Sequence, residues 1–327
     1  MRAKLYLCVF LLTVCFVSGC GGFGKETTSL QGEHKAKLNG LELWYKVSGK
    51  GPVCIFPTAG WGPSSDIYIA SMKPLEEQFT IVYLDTRGTG RSERPKTMGE
   101  YKWKYFSDDI DALRRHLGAK KIWLIGHSMG GVMVLHYALE YPNHVEGLLV
   151  LDSLAAEDDF RNKELEVRWQ ALKEHPPFRP IVEELSKVDI NKETEAEFIE
   201  NTHKMMPLFF STMDAFEKAY ATFKTGFDST TLSYHADRGQ LAARSPFSLV
   251  NSLDRIKCPT LIVVGTNDFI CSPKEAQRLH LGLPNSKLVV IEKAGHFPWI
   301  EQPDEFFFWV RKFLPTMGYP IKIESKE

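Results

Sequence analysis

This 327-residue chain has little with which to build a covalent or metal framework. Beyond its first twenty residues it holds three cysteines, Cys54, Cys258 and Cys271, and an odd number cannot be fully paired within one chain. A disulfide scaffold is thereby excluded; a single Cys258 to Cys271 bridge stays open, and Cys54 falls in a predicted buried strand. No cysteine and histidine spacing reads as a metal site. Charge of one sign is lacking too: 40 Lys and Arg stand against 41 Asp and Glu, a balance that offers nothing to nucleic acid or a polyanionic substrate. The apolar run Leu5 to Val17 is too short to span a bilayer as a mature helix. There is no internal repeat and no low-complexity tract. What remains, 43% hydrophobic with 12% aromatic residues, is the composition of an ordinary globular chain, long enough for one large α/β domain carrying an insertion.

The rest of the chain is organised around Ile122-Trp123-Leu124-Ile125-Gly126-His127-Ser128-Met129-Gly130-Gly131. A short apolar run passes into Gly-x-Ser-x-Gly and then into a helical pattern, which is the context of a nucleophile elbow. A serine hydroxyl is a weak nucleophile, so it needs a base within reach and a sharp turn that presents it to substrate. Bulky side chains two residues to either side crowd such a turn, so Gly126 and Gly130 are what it demands, and Gly131 lets the following helix pack close to the sheet.

Around this stretch the chain alternates strands and helices. His34 to Leu38 and Leu41 to Val47 flank Asn39-Gly40, a hairpin signal. Val53 to Phe56, Thr80 to Leu84, Ile122 to Ile125 and Val145 to Leu151 are nearly continuous apolar runs, with helices predicted over Ile67 to Gln78, Phe106 to Leu117 and Met129 to Glu140. From 153 to 252 the rhythm gives way to helix formers and aromatics, among them Phe160, Trp169, Phe178, Phe216, Tyr220, Phe223 and Phe227. That segment is read as a helical cap. The alternation then resumes with Thr260 to Gly265, a helix over Lys274 to Leu281, Lys287 to Ile291 and a closing helix over Asp304 to Leu314. The expected architecture is α/β, a mainly parallel doubly wound sheet formed by 34–152 and 253–316, with 153–252 inserted in it.

A serine nucleophile in this layout needs an acid after a later strand and a histidine after the last one. Asp268 follows Val263-Val264-Gly265-Thr266-Asn267, and His296 follows Ile291-Glu292-Lys293-Ala294-Gly295, which gives the chain order Ser, Asp, His. Asp152, at the end of the preceding strand, is the alternative acid. His127 occupies the variable position of the elbow and, with Trp61, is a candidate pocket residue. One oxyanion donor is the N-H of Met129, the residue after the nucleophile.

The N-terminus resembles a bacterial lipoprotein signal over residues 1–19: Arg2 and Lys4, the apolar run, then Val17-Ser18-Gly19-Cys20. The resemblance implies cleavage before Cys20, its acylation, and an extracytoplasmic protein held to a bacterial membrane through lipid, with residues 20–33 as a flexible tether. Gly21 after that cysteine favours the outer membrane in a diderm organism.

From His34 to Leu314 the chain resembles the α/β-hydrolase superfamily. Asp85-Thr86-Arg87-Gly88-Thr89-Gly90-Arg91-Ser92 is similar to a segment shared by proline iminopeptidases, epoxide hydrolases and related esterases; serine at the elbow, where epoxide hydrolases and dehalogenases carry aspartate, sets the latter two aside. Family members usually carry His-Gly where this chain has Pro57-Thr58. Proline has no N-H, so the second oxyanion donor is Thr58 or, by correspondence with the family, Ala59. Iminopeptidases typically have His-Gly-Gly-Pro-Gly in place of Pro57-Thr58-Ala59-Gly60-Trp61 and an aromatic in place of Met129; Ser-Met-Gly-Gly is more usual in esterases, lipases and thioesterases. Arg87 is read as a loop tie.

Substrate choice rests on the cap. Met205-Met206-Pro207-Leu208-Phe209-Phe210 is either pocket wall or core. An aminopeptidase needs cap carboxylates for the substrate ammonium, and Glu164, Glu166, Glu183, Glu184, Glu195, Glu197 and Glu200 are the candidates. The resulting expectation is a serine hydrolase of a carboxylic ester or related acyl bond, acting on a small ester or short peptide with no metal or organic cofactor. A proline-iminopeptidase-like exopeptidase is the alternative, and a catalytically silent surface binding module a third reading.

Overall fold

The computed structural model describes residues 30–224, 233–243 and 247–314. The signal segment, Cys20, Phe227 and residues 315–316 lie outside them. Among the described residues no helix is long and apolar enough to cross a membrane.

Eight strands form one sheet in the order β1-β2-β4-β3-β5-β6-β7-β8. β1 (Gly32–Leu38) and β2 (Leu41–Gly49) are the antiparallel hairpin. Its turn places Asn39 at φ 48° and Gly40 at φ 87°, the left-handed pair that matches strand twist in a two-residue loop. β1 thus starts inside the stretch read as tether. β2 pairs antiparallel with β4 (Thr80–Leu84), and every pairing after that is parallel, through β3 (Val53–Pro57), β5 (Ile122–His127), β6 (Val145–Leu151), β7 (Thr260–Gly265) and β8 (Ser286–Ile291).

All residues of β4, β5 and β7 are buried, as a sheet covered on both faces requires. Alternate side chains feed two cores. Leu124, Leu148 and Ile262 pack with Ile110 and Val132 on one face, while Trp123, Ile125 and Leu149 pack with Phe306 and Val310 on the other. The helices supplying these residues are α2 (Trp103–His116), α3 (Met129–Glu140) and α11 (Pro303–Phe313).

The helix expected over Ile67 to Gln78 is not continuous. It divides into α1 (Asp66–Ile69) and a 3-10 turn (Lys73–Glu77), because Pro74 has no N-H for the carbonyl four residues back and its ring clashes there.

Between β6 and β7 lie α4 (Asp159–Glu174), α5 (Arg179–Leu185), α6 (Glu195–Met205), α7 (Met213–Phe223) and α8 (Tyr234–Ala243). The two ends of this segment are tied beside the sheet. Ala156 and Ser248 form an antiparallel bridge, Glu157 N-H donates to Phe247 O and Leu249 N-H to Ala155 O, both at 2.9 Å. After β7 come α9 (Pro273–Gly282) and, beyond β8, the single turn α10 (Pro298–Glu301).

Candidate active site

The C-terminal ends of β3, β5, β7 and β8 point the same way, the end where parallel α/β sheets bind ligands. Ser128 immediately follows β5 and caps α3 at φ 56°, ψ −126°, a region in which non-glycine residues are strained. Its neighbours hold it there: Ser128 N-H donates to Leu151 O (3.0 Å), Gly131 N-H donates to Ser128 O (2.9 Å), and the Ser153 hydroxyl donates to the same carbonyl (2.8 Å).

Two of the three elbow glycines, Gly126 and Gly131, are crowded as the sequence suggested, and Gly130 is not. A Cβ on Gly126 would lie 2.5 Å from Gly130 O, and one on Gly131 would lie 2.5 Å from Ser153 Cβ; one on Gly130 would meet Pro57 O only at 3.4 Å and Ala59 Cα at 3.7 Å. The tight positions are therefore Gly126 and Gly131. Gly130 marks where the β3 loop lies against the start of α3.

His296 and Asp268 are buried together, and His296 Nδ1-H donates to Asp268 Oδ2 at 2.7 Å. The other carboxylate oxygen accepts from Ile270 N-H (2.9 Å) and Cys271 N-H (3.1 Å), so the acid is fixed at both ends. His296 is fixed as well. Its N-H donates to Phe209 O (2.7 Å), and its ring stacks on Phe209 at 5.2 Å.

Asp152, the alternative acid, is placed differently. It leaves β6 at φ 43°, and its Oδ1 accepts from Gly265 N-H at 2.9 Å while Oδ2 is buried without a protein donor. Burial, reinforced by the negative charge of Asp268, holds its carboxyl well above the usual carboxylate range. Burial therefore favours the neutral form of Asp152, and its second oxygen meets no protein hydrogen-bond partner among the described residues.

His127 is fully enclosed, 4.4 Å from the His296 ring. Because the His296 carbonyl can only accept, Nε2-H of His127 donates to it (2.9 Å) and Nδ1 accepts from the Tyr68 hydroxyl (3.1 Å). Burial holds its pKa well below that of a free imidazole, which favours a neutral ring beside His296.

These groups open on a cavity of about 370 Å³ whose wall includes Ser128, His296, Met129, Ala59, Trp61 and His127. Thr58 does not qualify as an oxyanion donor: its N-H donates to Leu84 O at 2.9 Å, and its hydroxyl bonds Thr86 and Thr89. Ala59 and Met129 are the two residues left on the wall. Of the Met205 to Phe210 run, Met205 and Phe209 face the cavity, whereas Met206, Leu208 and Phe210 are buried in the core.

None of the seven cap glutamates singled out from sequence lines the cavity. Glu164 binds Lys274, Glu184 and Glu200 bind Lys204, and Glu197 closes a capping box with Thr194. The acids on the wall are Glu193 and Asp237. Both pair with Arg238, and Glu193 also accepts from the Asn201 amide at 2.7 Å. They come from the α5–α6 loop and from α8, distant in sequence, and no local pattern joins them.

Cys54, Cys258 and Cys271 are free thiols, so no Cys258 to Cys271 bridge forms. Ligand-type atoms of Asp268, Cys271 and His296 lie within 4.8 Å of one another. Burial pushes the Cys271 thiol up, and both oxygens of Asp268 are already bonded, which suits a charge pair better than a cation cage. Arg87 is a tie between loops, as expected: Nε and Nη2 donate to the Asp109 carboxylate at 2.8 Å each, and Nη1 donates to Glu100 O.

A family model described as alpha/beta hydrolase fold matches residues 51–303. Proline iminopeptidase PfmaB of Pestalotiopsis fici is 27% identical over 284 residues, spanning 85% of this chain and 98% of that protein. Among solved structures, an esterase from Rhodococcus sp. is similar with a TM-score of 0.69 at 18% identity, covering 87% of this chain and 98% of that one. The enol-lactonase from Burkholderia xenovorans is similar with a TM-score of 0.68 at 21% identity, covering 86% and 100%.

Proposed function

Because the chain belongs to the α/β-hydrolase fold family and is a hydrolase, we propose that it cleaves a carboxylic ester or related acyl bond through an acyl-serine intermediate. The observation that carries this reading is the Asp268 to His296 pair at 2.7 Å on the same cavity as Ser128 in its strained elbow. His296 Nε2 takes the Ser128 proton as Oγ bonds to the acyl carbon, and Asp268 holds the imidazole tautomer and balances the imidazolium. The N-H groups of Met129 and Ala59 meet the oxyanion. Collapse breaks the bond to the leaving group, which receives the proton from His296. Water, deprotonated by the same imidazole, then releases the acid and restores Ser128.

The ester is favoured over the peptide by the wall of the cavity. Glu193 and Asp237 are the acids an incoming ammonium would meet, and Arg238 already neutralises them in part. The second reading, an iminopeptidase-like exopeptidase, draws on the likeness to the Pestalotiopsis enzyme. Rates on a short-chain nitrophenyl ester and on a prolyl nitroanilide, with Ser128→Ala as blank, separate the two. A Ser128-dependent preference for the ester is expected; preference for the prolyl amide overturns it.

The N-terminal Val17-Ser18-Gly19-Cys20 supports an extracytoplasmic enzyme anchored by acyl chains on Cys20. Labelled palmitate incorporated by the full chain and lost in Cys20→Ala is the expected result, and incorporation that survives the substitution refutes the anchor.

A further inference from the structure

A guanidinium withdrawn from water without a partner is costly, and buried charges in proteins are paired as a rule. Arg87, Arg91, Arg114, Arg238 and Arg278 all follow the rule with carboxylate partners. Arg161, half-buried, has no such partner. Among the described residues its side chain makes no ion pair or hydrogen bond, and its Nε, though not the whole guanidinium, is buried without an acceptor. It stands in the first turn of α4, on the wall of the cavity that holds Ser128 and His296.

The acids nearest in the chain do not serve it. Asp158, which caps α4 by accepting from the Arg161 backbone N-H at 3.1 Å, gives its carboxylate to Arg278 Nη1 and Nη2 at 3.0 and 2.5 Å. Glu275 feels the charge of Arg161, but burial pushes its own carboxyl toward the neutral form. Arg161 is therefore a cation at the acid end of the site, near Cys271, with no protein anion to meet it.

Resting on the acyl-serine reading above, we infer that the substrate is an ester or lactone that itself bears a free carboxylate, bound by Arg161 within the catalytic cavity. The planar fork of a guanidinium matches a carboxylate through two parallel N-H···O bonds. A cavity of about 370 Å³ has room for a small hydroxy-acid or dicarboxylic monoester. The other arginine on the wall, Arg238, is already paired with Glu193 and Asp237, which leaves Arg161 as the cation to meet the carboxylate.

The test compares two matched pairs of esters. Mono-nitrophenyl glutarate against nitrophenyl valerate places the charge on the acyl side, and 3-acetoxybenzoate against phenyl acetate places it on the leaving group. In the wild-type protein one anionic ester is expected to exceed its neutral partner in kcat/KM by about 10- to 100-fold, the value of a charged hydrogen bond. Arg161→Met is expected to erase that ratio, and Arg161→Lys to restore part of it. Equal rates within both pairs, or a preference that survives Arg161→Met, overturn the inference. A second readout separates it from the acyl-serine reading: calorimetric binding of glutarate to Ser128→Ala protein, lost when Arg161→Met is added. Glutarate binding without ester turnover leaves the anion site standing and removes the hydrolase mechanism; turnover without glutarate binding does the reverse.

Discussion

At the scale of single residues, two neighbouring buried aspartates have different partners. Asp268 accepts from His296 at 2.7 Å, whereas Asp152 accepts from Gly265 N-H with one oxygen and buries the other without a protein donor, burial favouring its neutral form. An asparagine reproduces the hydrogen bonds of a neutral carboxylic acid, one acceptor and one donor. Asp152→Asn is therefore expected to keep kcat/KM on a nitrophenyl ester within a few-fold of wild type. Asp268→Asn loses the acceptor for His296 Nδ1-H, traps the wrong tautomer and is expected to lower kcat by about 10⁴-fold. Steady-state rates of the two purified variants decide; the opposite ranking makes Asp152 the catalytic acid. Both aspartates were legible in sequence because each follows an apolar strand, and chain order favoured Asp268 with Asp152 as the alternative. The choice depends on which carboxylate meets His296, a contact between residues 28 positions apart.

At the scale of elements, the strand-turn-helix from β5 to α3 was readable residue by residue, since apolar period, glycine and helix pattern are all local. Its steric demands were readable in part. Gly126 and the close packing at Gly131 match the expectation, whereas Gly130 has more room, and the partner that crowds Gly131 is Ser153, which belongs to the turn after β6. Gly131→Ala is expected to destabilise the fold by about 1–3 kcal/mol through overpacking of α3 against that turn, and Gly130→Ala by less, as read by urea unfolding. Equal losses at the two positions contradict this account of the elbow. The cap helices show the same limit more strongly. Their existence followed from composition, while the acids and arginines that reach the cavity, Glu193, Asp237, Arg238 and Arg161, depend on how α4 and α8 and the loop before α6 come together over the sheet.

At the scale of the molecule, burial sets how stability responds to pH. His136 stacks on Trp103 with ring centroids 5.4 Å apart, its Nε2 has no hydrogen-bond partner, and burial lowers its pKa to about 4. The folded pKa lies below the unfolded value of about 6.5, so the unfolded chain binds the extra proton in the window between them. Stability from this residue is present above that window and is lost as pH falls from about 6.5 toward 4. His136→Phe keeps a ring against Trp103 and removes the titration. Its stability relative to wild type is expected to rise as pH falls through the window, by at most about 1.4 kcal/mol per pH unit, measured by denaturant unfolding at pH 7 and pH 4.5. A difference that does not change with pH contradicts a neutral, buried His136.

Acyl transfer at this site requires Ser128 to be a nucleophile activated by His296. Intact-mass measurement after brief exposure to a fluorophosphonate tests that most directly. One covalent adduct, mapped to Ser128, absent in Ser128→Ala and strongly slowed in His296→Ala, is the predicted result. No adduct at Ser128, or labelling at the same rate without His296, would contradict it.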